Sequence, residues 1–146
     1  MKKKKLNFLR LIKIMKRLLG PNGCPWDKKQ THRTLVKYLY EEAGEFKKAV
    51  YKKDYENMKE ELGDILLQVV FHSEIASNKG HFDIYDVIDN LIAKLIRRHP
   101  HVFSSVKVKN EKEVIKNWNK IKKLRKILRR INGSSKKNCK AYFPTL

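Results

Sequence analysis

Residues 38–64 read YLYEEAGEFKKAVYKKDYENMKEELGD, and the fold follows from how the acids in this stretch are spaced. Glu42 and Glu45 form one pair, Glu61 and Asp64 another. The pairs are mirrored about Lys53: Glu45 and Glu61 each stand eight residues from it, Glu42 and Asp64 each eleven. Both flanks read as helix, and a turn over Lys52 to Asp54 folds them into an antiparallel hairpin. Eight residues of helix span roughly 12 Å. The hairpin therefore brings Glu45 level with Glu61, and Glu42 level with Asp64. Spacing of i, i+3 keeps each pair on one helical face. Four carboxylates converging on one spot repel strongly unless a cation lies between them. A hard divalent cation such as Mg²⁺ takes carboxylate oxygens and is normally bound together with substrate phosphates.

Isolated acids on a helix are more often a solvated face than a site. Glu56 with Lys59, and Asp54 with Lys53, fit that bland pattern as surface ion pairs. Glu42 does not, because it interrupts the apolar stripe Leu35, Leu39, Phe46, Ala49, where a carboxylate is rarely placed without a partner.

The remaining chain also reads as helix. Phe8, Leu11, Ile12, Met15, Leu18 and Leu19 fall on one face of a first helix, which the Gly20-Pro21-Asn22-Gly23-Cys24-Pro25 run ends. Pro25 and Trp26 read as a structural cap on that loop. Thr31 is the expected N-cap of a helix over 31–51. Asp54 caps a third, over 55–78, whose expected apolar side is Met58, Leu62, Ile65, Leu66, Val69 and Ile75; Lys79-Gly80 closes it. Asp83 opens a fourth, over 84–98, with Ile84, Val87, Ile88, Leu91 and Leu95 in register and Pro100 as its stop. A basic helix over 111–131 comes last. No stretch alternates as a strand does, so the expected class is all-α, an antiparallel helical bundle built on the central hairpin. Residues 1–131 are expected to form one domain, and 132–146 a basic, disordered tail.

The net charge of +20 resembles that of a nucleic-acid binder, but its location argues otherwise. Residues 21–106 hold 13 basic and 13 acidic side chains, so the excess belongs to the two ends. The only cysteines, Cys24 and Cys139, suggest neither a disulfide framework nor a thiolate metal site. A reducing, cytoplasmic compartment is the simpler expectation. Arg10, Lys13, Lys16 and Arg17 break up the segment after Lys2–Lys5, which excludes a signal-peptide core. No apolar run approaches the ~20 residues of a membrane span.

The acid quartet with its flanks resembles the all-α nucleoside triphosphate pyrophosphohydrolases, and within them the MazG family. The blocks are GCPWD at 23–27 with QTH at 30–32, YLYEEAGE at 38–45, EELGDILLQVVFH at 60–72 and KLIRRHPHVF at 94–103; the likeness covers roughly residues 8–125. It implies hydrolysis of a nucleoside triphosphate to the monophosphate and pyrophosphate, with Mg²⁺ (Mn²⁺ as the alternative), in a homodimer of helical hairpins. Glu42, Glu45, Glu61 and Asp64 match the catalytic metal-ligand positions, with Glu41 and Glu60 beside them. Lys94, Arg97 and Arg98 match a basic motif expected to meet the triphosphate, where the planar arginine fork suits phosphate. Trp118 and Lys122 resemble a W-x-x-x-K element whose indole stacks on the base. The histidines 72, 99 and 101 are expected to pack or hydrogen-bond. The sequence departs from many members in showing one copy of a repeat often present twice, and in placing Gly44 inside the first acid motif.

Two other readings compete. The basic ends suit a nucleic-acid-binding protein, whose affinity falls steeply with salt, yet the neutral centre and the lack of a known binding module oppose it. A catalytically silent dimerisation module is the third.

Overall fold

The structure, a computed structural model, describes the backbone of residues 2–131 and the side chains of residues 7–128 and 130. The expected tail over 132–146 lies outside the described residues. Helix α1 spans Lys2–Leu19, α2 Pro25–Lys28, α3 His32–Lys52, α4 Tyr55–Ser77, α5 Ile84–Arg98, α6 Pro100–Phe103 and α7 Glu111–Ile131. There is no strand among the described residues. The all-α class is as expected.

Local chemistry sets the helix ends. Thr31 caps α3 by accepting from the Thr34 amide at 3.2 Å, and Thr34 Oγ1 reciprocates by accepting from the Thr31 amide at 2.9 Å, a capping box. At the other end Lys53 adopts the left-handed conformation (φ 56°, ψ 31°). The Lys53 and Asp54 amides donate to the carbonyls of Val50 and Ala49, closing α3. Asp54 then accepts from the Asn57 amide at 3.1 Å and so starts α4. It is thus used as a cap, not as the expected ion-pair partner of Lys53; Glu56 and Lys59 do pair. Gly80 supplies the positive φ (69°) after α4. Asp83 starts α5, with Oδ1 accepting from the amides of Tyr85 and Asp86.

The chain divides into two compact units within α5, after Val87. In the first, α3 and α4 form the hairpin, and α1 packs on α4. Ile12 and Met15 from α1, Leu35 and Ala49 from α3, Val70, Phe71, Ile75 and Ala76 from α4, and Ile84 make the core. The α1 stripe is oriented as expected. The α4 stripe is so only in part: Ile75 is buried and Met58 and Ile65 half-buried. Leu62, Leu66 and Val69 are 38–51 % exposed, while Glu61, Gln68, Ser73 and Glu74 are buried. The reason is that α4 is the central element. It turns Glu61 and Gln68 inward with its hairpin partner and neighbours, which leaves an i, i+4, i+7 apolar ridge facing out.

Two short helices correct the sequence reading. Pro25 does not merely cap the loop after α1; it opens α2, where its fixed φ suits the first helical position. Pro100 likewise stops α5 and begins α6. The α1–α2 turn is tight. The Cys24 amide donates to the Leu18 carbonyl at 2.9 Å, and a Cβ on Gly23 would lie 2.0 Å from that oxygen.

In the second unit Asn110 caps α7 by accepting from the Glu113 amide at 3.1 Å. Trp118, half-buried on α7, has the Arg98 guanidinium over its ring at 4.7 Å and His99 edge-on at 5.0 Å.

Candidate functional site

The hairpin gathers the acids. Carboxylate oxygens of Glu42, Glu45 and Glu61 lie within 4.8 Å of one another. Glu61 is buried, Glu42 half-buried and Glu45 exposed, so the cluster opens to solvent at one side. Electrostatics place Asp64 with them. Burial first, then the charges of Asp64, Glu61, Glu45 and Glu41, push the Glu42 carboxyl above its ordinary range. Glu61 is pushed the same way by burial and then by Glu45, Asp64 and Glu60, with a hydrogen bond from Glu42 acting against the shift. The strongest carboxylate neighbour of Glu42 is thus Asp64, and that of Glu61 is Glu45. Those are the two pairs set level by equal arm lengths from Lys53.

This arrangement suits a hard cation. The donor set is oxygen only, without imidazole or thiolate among the clustered ligand atoms. The upward shifts of Glu42 and Glu61 express burial first and mutual repulsion second, and a bound cation opposes both. Glu41 and Glu60 act on Glu42 and Glu61 respectively through their charge, at the edge of the cluster.

The other expected site residues lie in the second unit, on α5 and α7. Lys94 and Arg98 are half-buried, Arg97 and Lys122 exposed. Arg98 is engaged with Trp118, and the ring of Trp118 contacts both Arg98 and His99.

The sequence reading missed three features of the first unit. The first is an aromatic contact between Trp26 on α2 and Tyr38 on α3, with ring centroids 6.0 Å apart and planes at 64°. The second is Gln68, one turn beyond Asp64, buried and with Oε1 unpartnered. The third is a histidine pair, His32 and His72, with Nδ1 atoms 2.8 Å apart. That pair was within reach of the same arithmetic, since the two stand 21 and 19 residues from Lys53. Of the other histidines, His99 sets Nδ1 2.7 Å from the Leu95 carbonyl, and His101 Nδ1 is buried without a partner. Cys24 is a free thiol, and Cys139 lies outside the described residues. No helix among the described residues is long and apolar enough to cross a membrane.

Comparison with known proteins agrees with the all-α fold. The sequence profile of the MazG nucleotide pyrophosphohydrolase domain matches residues 30–103. The crystal structure of a mazG-related protein from Thermotoga maritima superposes with a TM-score of 0.66 at 32 % identity, covering 78 % of this chain and 97 % of that one. The Thermotoga maritima protein named nucleoside triphosphate pyrophosphohydrolase/pyrophosphatase MazG is 55 % identical over 103 residues, 70 % of this chain and 40 % of its own length. The Escherichia coli K12 nucleoside triphosphate pyrophosphohydrolase is 46 % identical over 114 residues, 77 % of this chain and 43 % of its own. YabN of Bacillus subtilis is 52 % identical over 113 residues, 77 % of this chain and 23 % of its own. The chain spans less than half the length of these curated relatives. With the profile covering residues 30–103 and the solved relative matched over 97 % of its length, the chain belongs to the MazG nucleotide pyrophosphohydrolase domain family.

Proposed function

We propose that the protein hydrolyses nucleoside triphosphates to the nucleoside monophosphate and pyrophosphate, using Mg²⁺ (Mn²⁺ serving in its place). The observation that carries this reading is the oxygen-only cluster of Glu42, Glu45 and Glu61, with Asp64 coupled to it by charge. The names of the relatives support the substrate class.

Glu42, Glu45, Glu61 and Asp64 are the residues that would hold the cation. When bound, a divalent cation neutralises polyphosphate charge and favours ionisation of water. In the proposed step water adds at the α-phosphorus while the bond from that atom to the bridging α–β oxygen breaks and pyrophosphate leaves with the bridging oxygen. The chain's part is to fix the reacting groups and to accept the proton of the attacking water at a carboxylate oxygen of the cluster. Glu42 and Glu45 on one helix and Glu61 and Asp64 on the other hold their oxygens on a rigid hairpin, so little reorganisation accompanies the reaction. Glu41 and Glu60 tune the cluster by charge. Lys94, Arg97 and Arg98 are assigned to phosphate by resemblance, and Trp118 and Lys122, as the W-x-x-x-K element, to substrate, with the indole on the base.

The assembly is proposed to be a homodimer. Leu62, Leu66 and Val69 form the outward ridge on α4, and Val36 and Leu39 are exposed on α3. Such apolar surface is characteristic of an interface between copies.

The deciding experiment is purified protein with Mg²⁺ and a panel of triphosphates, with orthophosphate and pyrophosphate assayed separately. Monophosphate and pyrophosphate should appear in equal amounts, and a chelator should abolish both. Release of orthophosphate and a diphosphate overturns the reading.

A further inference from the structure

Trp118 stands in a series of contacts, all within the second unit. The series starts at the backbone, where His99 sets Nδ1 2.7 Å from the Leu95 carbonyl on α5. A carbonyl only accepts, so this nitrogen carries the proton and the imidazole is fixed in orientation. The His99 ring meets the Trp118 indole edge-to-face, with centroids 5.0 Å apart and planes at 72°. His101 meets His99 in the same manner, at 5.7 Å and 61°. Last comes Arg98, whose guanidinium lies over the indole ring at 4.7 Å. Each member of the series holds the next.

Arg98 is the open end. Among the described residues its guanidinium has no carboxylate partner; the indole is its contact. A guanidinium stacks on an aromatic ring through its own face, and its five N–H donors point outward in its plane. The contact with Trp118 therefore leaves the donors to an anion. An arginine loose in solvent gives up the rotamer freedom of a long stem when it takes a phosphate. One already held against a ring has given up part of that freedom beforehand, and binds more tightly for it.

We propose that Trp118 has a second role besides meeting the base: it is the positioning residue for Arg98, holding the guanidinium ready for the substrate's phosphates. The proposal rests on the reading of Arg98 as a phosphate-binding residue. It separates two contributions of one indole, since the action through Arg98 is felt by a polyphosphate that carries no base at all. His99 supports the indole in turn.

The probe is inorganic tripolyphosphate with Mg²⁺, read as an inhibitor of nucleoside triphosphate hydrolysis. Trp118→Leu keeps apolar bulk on α7 without a π-face, and should weaken that inhibition by about tenfold. Trp118→Phe, which keeps a π-face for the cation, should restore most of it. In an Arg98→Ala background Trp118→Leu should make no further difference, the double-mutant signature of action through Arg98. A second measurement leaves Trp118 in place. The chain has two tryptophans, so Trp26→Phe leaves the indole fluorescence to Trp118 alone. Tripolyphosphate should shift that signal by neutralising the cation over the ring, and Arg98→Ala should abolish the shift. Wild-type inhibition in Trp118→Leu overturns the proposal, as does an equal loss with and without Arg98. So does a Trp118 signal that ignores bound tripolyphosphate, or a wild type that turns over nucleoside triphosphates and is not inhibited by tripolyphosphate. A wild type that neither hydrolyses nor binds any triphosphate overturns the proposed function itself, and this proposal with it.

Discussion

His32 and His72, forty residues apart in sequence, meet with Nδ1 atoms 2.8 Å apart and ring planes within 2° of parallel. One Nδ1 must donate and the other accept, so at least one imidazole in the pair is neutral. His72 is the better candidate, since burial first and then the His32 charge hold its pKa below the ordinary value. The contact ties the open end of the hairpin, far from the turn at Lys53.

The sign of its pH dependence follows. A histidine whose folded pKa is depressed takes up its proton more readily in the unfolded chain, so its contribution is complete above the ordinary value, near 6.5. That contribution is lost as pH falls through this value and on through the lowered one. Thermal midpoints should therefore drop between about pH 7 and pH 5. His72→Gln should lower stability at neutral pH by about 1 kcal/mol and flatten the profile. Taking the difference between wild type and variant at each pH cancels the carboxylates, whose raised values act in the opposite direction. Parallel profiles would show that the pair does not titrate.

Removing a charge from the cluster separates activity from stability. Glu45→Gln and Glu61→Gln should each reduce turnover by a hundredfold or more, on the order of one lost charge-stabilising group. Neither should lower the metal-free melting temperature, because the acids repel one another without a cation. Saturating Mg²⁺ should raise the melting temperature of the wild type by mass action, and that of the variants less. Glu56→Gln, which removes a surface pair with Lys59, is the control and should match the wild type in both assays. Equal behaviour of Glu45→Gln and Glu56→Gln would reduce the cluster to a solvated face.

Assembly has its own test. Leu66→Glu places a charge in the middle of the α4 ridge without touching the core. Light scattering at micromolar concentration should show the wild type as a dimer and the variant with half that mass. A wild type that is already monomeric contradicts the proposed assembly.

Two glycines should respond in opposite directions. Gly44→Ala adds a methyl with nothing within 4 Å, inside a helix, and should stabilise by about 1 kcal/mol. Gly23→Ala sets a Cβ against the Leu18 and Arg17 carbonyls and should cost about 3 kcal/mol or more as the α1–α2 turn is forced apart. Chemical denaturation measures both.

The sequence exposed the hairpin because helical rise is constant, so counting from Lys53 is already a distance measurement. The caps were legible for a similar reason: Thr31, Asp54 and Asp83 act on amides two or three residues away, and such chemistry is local. The α4 stripe was misread at Leu62, Leu66 and Val69 because periodicity assumes one buried side. A central helix has several, and which of Leu66 and Gln68 turns inward depends on neighbours distant in sequence. The edge contact of Trp26 with a tyrosine on another helix was not legible, because it joins residues twelve apart through tertiary packing. The assignments of Lys94, Arg97, Arg98 and Trp118 to substrate came from likeness alone, and no spacing argument reaches from their unit to the acids.

The left-handed residue at Lys53 makes the hairpin a ruler with its zero at the turn. Deleting one residue between Lys53 and Glu61 would advance that arm by 1.5 Å and swing its acids about 100° around the helix, away from Glu42 and Glu45. The core beneath would be misaligned by the same step. Seven residues added to each arm would return all four acids to within about 20° of their original direction. Evolution along this hairpin is thus quantised: arm lengths can change only in matched steps that complete nearly whole turns, such as about seven, eleven or eighteen residues, whereas residues at the tip are free to vary in kind, provided one of them accepts a positive φ.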